Sequence, residues 1–169
     1  MKTAIAVLIV LSWLLLRCGD LEGGWKGIKV FESSRNDVEK ILGTPTDSQK
    51  AEARYETTEA TVRVVYSTIP CSDLKTLSGG FSLQEGRVVK YEVKPKISLN
   101  VNDLSWDRSL YERKEDIHLL GLVSYQNVRD GIYITANQSG STKTEVVREI
   151  YFDRTQEQEK KFACLQPKS

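Results

Sequence analysis

The stretch SSRNDVEKILGTP, residues 33–45, contains both ends of a short helix and decides how the chain is organised. Ser34 is placed to cap the amide of Asp37, and Gly43 followed by a proline ends the helix. The apolar residues of this helix share one face: Val38, Ile41 and Leu42. A helix this short is not stable in isolation, so its apolar face requires a sheet to pack on.

The segments that follow predict such a sheet. In residues 55–66, Val62, Val64 and Tyr66 alternate with other side chains, and threonines flank a turn near residues 58–60. This pattern is typical of a hairpin or of two paired strands. Residues 87–93 predict a further strand, which ends at Pro95.

The second half of the chain repeats this order weakly. Asp103 or Ser105 is placed to cap a short helix over residues 106–113, an extended segment begins at Tyr125, and residues 131–135 and 145–152 predict strands. We therefore expect an α+β domain over residues 25–169, with an antiparallel sheet packed against short helices. The two halves, 25–97 and 98–169, are either two tandem helix-plus-sheet units or a chance likeness.

The first residues indicate export. Residues 3–16 are apolar except for two small polar side chains, and fourteen residues span roughly 21 Å as a helix, less than the ~30 Å membrane core. We interpret residues 1–18 as a signal peptide. An uncleaved membrane anchor and a buried helix are the alternatives.

The end of this segment resembles a bacterial lipoprotein signal, in which a cysteine is acylated after cleavage. Leu15 and Cys18 fit that pattern. The alternative is that Cys18 is not acylated and is lost with the cleaved signal peptide. The glycine-rich residues 19–24 predict a flexible tether. The expected location is periplasmic or membrane-anchored by lipid, or else secreted.

The charge balance excludes some partners. The chain has 24 basic and 23 acidic side chains, and it keeps 22 basic ones once Lys2 and Arg17 are removed with the signal peptide. A nearly neutral protein is not expected to bind nucleic acid or an anionic membrane surface through charge. Contact with a membrane is expected only through the lipid.

The sequence contains few residues of catalytic or metal-binding type. His118 is the only histidine, it lies between two apolar residues, and the dispersed cysteines give no zinc-ligand spacing. We predict no catalytic residue, no cofactor and no metal. The alternative is a small exported hydrolase whose carboxylate pair is not identifiable from sequence.

The cysteines predict one disulfide. In an exported protein Cys71 and Cys164 form the pair that remains when Cys18 is assigned to the signal peptide or to lipid. The bridge would hold the C-terminal tail beside the connection at residues 68–86. Two separate thiols, one of them a nucleophile, are the alternative.

The helix ending in Leu-Gly-x-Pro, the tyrosine-led hairpin and the strand Gly-Arg-Val-Val-Lys-Tyr at residues 86–91 resemble outer-membrane-assembly lipoproteins of the SmpA/OmlA type. They are also similar to the β-lactamase-inhibitor-protein fold of two tandem units. The Ser-Ser-Arg-x-Asp-Val-Glu opening and paired cysteines resemble a group of exported bacterial proteins. These resemblances imply a fold. The resemblance to the exported bacterial proteins carries no implication for activity.

We therefore expect a non-enzymatic envelope protein that binds another envelope or secreted protein, as a scaffold, assembly factor or inhibitor. Aromatic side chains are common anchors of such interfaces. Trp106 and Tyr111 are the predicted partner contacts because they border the least regular part of the sequence. Packing in the core is the alternative role for both.

Overall fold

The computed structural model describes residues 21–68, 81–115, 121–139 and 144–164. Their strands form one antiparallel sheet in the order β1-β2-β3-β4-β8-β7-β6-β5. The helices are α1 (Arg35–Leu42) and α2 (Gln156–Phe162). The strands are β1 (Asp47–Ser48), β2 (Glu52–Glu56), β3 (Ala60–Tyr66), β4 (Val88–Pro95), β5 (Glu112–Glu115), β6 (Leu122–Asn127), β7 (Ile132–Ser139) and β8 (Thr144–Phe152). The predicted α+β class is confirmed.

Each half of the chain contributes four consecutive strands, and the last strands of the two halves meet in the middle. The β4–β8 junction aligns Tyr91 with Phe152, Glu92 with Tyr151 and Val93 with Ile150. The sheet is therefore continuous across both halves. Whether the halves arose by duplication stays a prediction.

Helix α1 forms as its end signals predict. The Ser34 hydroxyl accepts from the amide of Asp37 while the Asp37 carboxylate accepts from the amide of Ser34, which is a complete capping box. Val38 is fully buried in the core, whereas Ile41 is 40% exposed. The helix thus packs through a narrower apolar face than its sequence suggests.

Residues 21–24 belong to the folded unit, which corrects the prediction of a tether up to residue 24. Leu21–Gly23 and Trp25–Gly27 are 3-10 helices, and Leu21 is 1% exposed with its amide donating to the Ser105 carbonyl oxygen (3.3 Å). The predicted tether residues 19 and 20 lie outside the described residues.

The Tyr91 hydroxyl fixes this N-terminal segment to the sheet. It accepts from the Trp25 amide (2.9 Å) and donates to the Ile28 carbonyl oxygen (2.8 Å), while its ring stacks on Phe152 with centroids 4.4 Å apart. Gly24 allows this close approach, because a Cβ there would lie 2.1 Å from the Ile28 oxygen. The segment therefore packs against the sheet as a compact turn.

The prediction of a helix over residues 106–113 is wrong. The structure has a 3-10 helix at Arg108–Leu110, whose Asp107 carboxylate accepts from the Ser109 amide, and strand β5 begins at Glu112. Residues 112–115 pair with β6, which commits their backbone to the sheet. The predicted caps, Asp103 and Ser105, do not cap this turn; Asp107 does, and it supports a single turn.

Helix α2 returns from the second half to the first. Phe162 packs edge-on against Phe31 (5.4 Å between centroids), and its carbonyl oxygen accepts from the Ser82 amide (2.6 Å). The Gln158 side chain donates to the Val30 carbonyl oxygen (3.2 Å). The described residues of both halves therefore share one core.

Candidate functional site

The two faces of the sheet differ in what covers them. On β3, Val62 and Val64 are fully buried beneath the helices and the N-terminal segment, whereas Arg63 between them is exposed. The same alternation continues through β2, β4, β8, β7 and β6. We call the side that carries Arg63 the open face; its residues are Glu52, Arg54, Glu56, Thr61, Arg63, Val65, Lys90, Glu92, Lys94, Glu149, Tyr151, Tyr133, Thr135, Ser124 and Gln126.

One row of side chains crosses the open face from the first half to the second. The strand register places these residues opposite one another in turn: Arg54, Arg63, Glu92, Tyr151, Tyr133 and Gln126. Five strand spacings make the row about 24 Å wide. Tyr151, at its centre, is 36% exposed. The sheet thus presents a broad surface whose aromatic part lies at the junction of the halves.

A depression of about 240 Å³ lies at this junction. Tyr133, Tyr151 and Val65 supply apolar surface, and Arg63, Lys90 and Glu92 supply charged groups around it. Small-molecule pockets usually measure ~300–1,000 Å³ and enclose most of their ligand. A smaller, open depression suits a single side chain of a larger partner.

A second, more polar depression of about 450 Å³ adjoins it on the first half and shares Arg63 and Glu92 with it. Arg63 donates to both carboxylate oxygens of Glu52 (2.6 Å each). These hydrogen bonds lower the pKa of Glu52 and raise that of Arg63, so both groups are charged at neutral pH. Arg63 is therefore already neutralised by its neighbour.

Lys94 brings two carboxylates of the open face together. Its ammonium lies 2.6 Å from Glu92 and 3.7 Å from Glu149, and Glu149 also accepts from Thr135 (3.2 Å). The hydrogen bond to Glu92 raises the pKa of Lys94 and keeps it protonated. One ammonium group thus links carboxylates from β4 and β8 across the junction.

Two cations of the open face remain unpaired within the described part of the chain. The Lys90 and Arg54 side chains are exposed and form no ion pair with another described residue. Lys90 lines the depression at the junction, and Arg54 lines the polar depression beside it. Neither cation is held in an ion pair with a described residue, although both charges help to lower the pKa of the Glu52 carboxylate from a longer distance.

The predicted partner contacts lie on the other side of the sheet. The Tyr111 side chain is 8% exposed and packs against Trp106 (4.5 Å between centroids), which in turn contacts Tyr125 (5.1 Å). Trp106 is only partly buried. This arrangement favours core packing for Tyr111 and leaves Trp106 as the one with surface available to a partner.

A charged cluster closes the core near these aromatics. The Glu145 carboxylate accepts from the Tyr125 hydroxyl and from Arg113 (2.9 and 3.1 Å), with Arg108 at 3.7 Å. Burial alone would raise the pKa of Glu145, but the Tyr125 hydrogen bond and the guanidinium groups outweigh it and lower that pKa. The carboxylate is fully occupied by these contacts, which are structural.

The predicted cysteine pair is only half described. Cys164 follows α2, and its neighbour Ala163 forms an antiparallel bridge with Phe81. Cys71, Cys18 and His118 lie outside the described residues. The bridge between Cys71 and Cys164 and the lipidation of Cys18 stay predictions.

No group of three or more histidine, cysteine or acidic side chains in the described ranges is arranged to hold a metal ion. No helix in those ranges is both long and apolar enough to cross a membrane.

Sequence reasoning missed Tyr151 and the open face as a whole. Tyr151 lies in the run Ile150-Tyr151-Phe152, where three apolar or aromatic residues in succession hide the alternation of the strand. A usable signal was Glu149, which marks the outward phase two positions before Tyr151. Tyr133 pairs with Tyr151 across the strands, and the polar Thr135 two positions later marks the same outward-facing side of β7.

Comparison with known proteins gave no relative. The chain matches no protein-family model, no curated sequence and no solved structure. The resemblance to the outer-membrane-assembly lipoproteins and to the β-lactamase-inhibitor-protein fold therefore stays a prediction.

Proposed function

We propose that this chain is an exported, non-enzymatic envelope protein that binds another protein through the open face. A scaffold, an assembly factor and an inhibitor would all use such a surface. The observation that carries the proposal is the broad open face itself, whose aromatic centre is neither covered by a described helix nor shaped like a small-molecule pocket.

The composition of the open face fits a protein interface. Interfaces combine a central aromatic or apolar patch with a polar rim that excludes water. Tyr151 and Tyr133 form such a centre, with Arg63, Glu92 and Lys94 beside them. Burial and the neighbouring Glu149 carboxylate raise the pKa of Tyr151, so its hydroxyl stays neutral, as suits an aromatic group at an interface.

The edges of the sheet support face binding over strand addition. At one edge β5 reads Glu-Arg-Lys-Glu with every residue exposed, and at the other β1 is only two residues long. Charged or very short edge strands discourage pairing with another chain. A partner is therefore expected to contact side chains of the open face.

The proposal of export rests on the apolar run at residues 3–16 and on the buried position of Leu21. Leu21 already packs in the core, so the described fold begins soon after the predicted signal segment. A chain lipidated at Cys18 would hold this domain close to its membrane. The partner is then another envelope protein within reach of that surface.

Site-specific photo-crosslinking in a native-type host tests the proposal. A photoreactive phenylalanine analogue replaces Tyr151 or Arg54 on the open face, and a control replaces Lys160, an exposed residue of α2. We expect a discrete protein adduct from the open-face positions that is absent from the control. The absence of any adduct at either open-face position, or equal adducts at all three positions, would contradict the proposal.

A further inference from the structure

We infer that the depression at the junction receives one aromatic side chain of the partner with a carboxylate beside it, so that the partner presents an acidic, aromatic segment. This inference rests on the proposed function and deepens it. It draws on the shape of the depression, on its rigid base and on the charges that surround it.

The base of the depression is preorganised. Tyr91 and Phe152 lie among its lining residues and pair with each other across the β4–β8 junction, while their stacked rings lie on the opposite, buried face of the sheet. Both are buried in the core, and the Tyr91 hydroxyl is held by two backbone groups. These contacts fix the β4–β8 backbone beneath the depression, so an aromatic side chain that packs beside Tyr133 and Tyr151 meets a sheet surface that does not need to reorganise, which favours binding.

The charges select an anion over a cation. Glu92 is paired with Lys94, Asp153 accepts from Arg154 (3.1 Å), and Arg63 is paired with Glu52. The Lys90 side chain is the cation of the depression that forms no ion pair with a described residue, and its charge acts on Glu52 only from a longer distance. An incoming carboxylate finds a free partner in Lys90, whereas an incoming ammonium finds only carboxylates that are already paired.

Two small probes with the same ring and opposite charge test this inference by NMR. Titration of the ¹⁵N-labelled protein with 3-phenylpropionate should shift the amide signals of Val65, Lys90 and Tyr151 with millimolar affinity. Phenethylamine should bind at least threefold more weakly. Shifts centred elsewhere, equal affinity for the two probes, or no saturable shift with 3-phenylpropionate would overturn the inference.

Charge reversal provides the matched comparison. Lys90→Glu should invert the preference, so that phenethylamine binds more tightly than 3-phenylpropionate. Lys29→Glu, at an exposed lysine of the N-terminal segment, should leave the preference unchanged. Tyr151→Ser should weaken both probes about equally. A preference that survives Lys90→Glu, or that is lost in Lys29→Glu, would assign the selectivity to something other than Lys90.

The two proposals fail separately. If photo-crosslinking yields an open-face adduct while 3-phenylpropionate does not bind, the open face is an interface and the aromatic-acid anchor is wrong. If 3-phenylpropionate binds as expected while no adduct forms, the depression has the inferred chemistry and the protein-binding function is wrong.

Discussion

Removal of the Tyr91 hydroxyl tests how the N-terminal segment is held. Tyr91→Phe keeps the ring stack on Phe152 but leaves the Trp25 amide and the Ile28 carbonyl oxygen without the partners they have at 2.9 and 2.8 Å. An unsatisfied buried polar group costs about 1–3 kcal/mol. Two such groups, partly relieved by relaxation, should lower the free energy of unfolding by about 2–4 kcal/mol.

Guanidinium denaturation followed by tryptophan fluorescence measures this loss, which corresponds to a fall in melting temperature of roughly 4–16 °C for a domain of this size. Amide hydrogen exchange adds a local readout, because the Trp25 amide should exchange faster in the variant. Tyr133→Phe is the matched control, since its half-buried hydroxyl forms no hydrogen bond with another described residue, and it should change stability by less than about 0.5 kcal/mol.

A loss below about 0.5 kcal/mol in Tyr91→Phe, with unchanged exchange at Trp25, would refute the reasoning. It would mean that the segment is held by the burial of Leu21 and Trp25 alone. A loss of equal size in both tyrosine variants would point instead to a general effect of hydroxyl removal.

Three further predictions concern backbone geometry, charge and covalent structure. Gly131→Ala should lower the free energy of unfolding by more than about 3 kcal/mol in the same assay, because φ is +70° and the added Cβ would lie 2.1 Å from the Asp153 carbonyl oxygen. Gly27→Ala is the control: φ is +78° but the space is open, so the loss should be about 1 kcal/mol. Glu145→Gln should lower the free energy of unfolding at pH 7 by about 1–3 kcal/mol. Because folding lowers the pKa of Glu145, the ionised carboxylate stabilises the fold above the unfolded pKa of 4.5. The difference in stability between the variant and the natural protein should therefore shrink as the pH falls below 4.5. Intact mass should show Cys71 and Cys164 protected from alkylation until reduction, which should lower stability by about 4 kcal/mol; free thiols before reduction would contradict the bridge.

Features set by neighbouring residues were predictable from the sequence. The capping box of α1 involves only Ser34 and Asp37, and its form follows from side-chain chemistry within one turn. The alternation in β3 and β4 likewise marks one buried face, so the α+β class follows without knowledge of the sheet order.

Features that depend on distant partners were not predictable. Leu21 is part of the core because its amide meets Ser105 from the second half, whereas the glycines around it suggest a tether. The capped turn at Arg108–Leu110 does not lengthen into a helix because the residues after it pair with β6. The open face required the order of strands, since only the β4–β8 junction brings Glu92 beside Tyr151.

Helix α2 comes late in the sequence but packs on the first half of the chain, and this affects when the fold can be completed during synthesis. Strands β1 to β4 are made first, but the aromatic surface formed by Phe31 and Phe81 is covered only when Phe162 arrives. Until then the first half exposes those rings, which favours binding by a chaperone. Helix α2 thus provides the closing step, and a chain truncated before α2 would leave the ribosome with these rings uncovered.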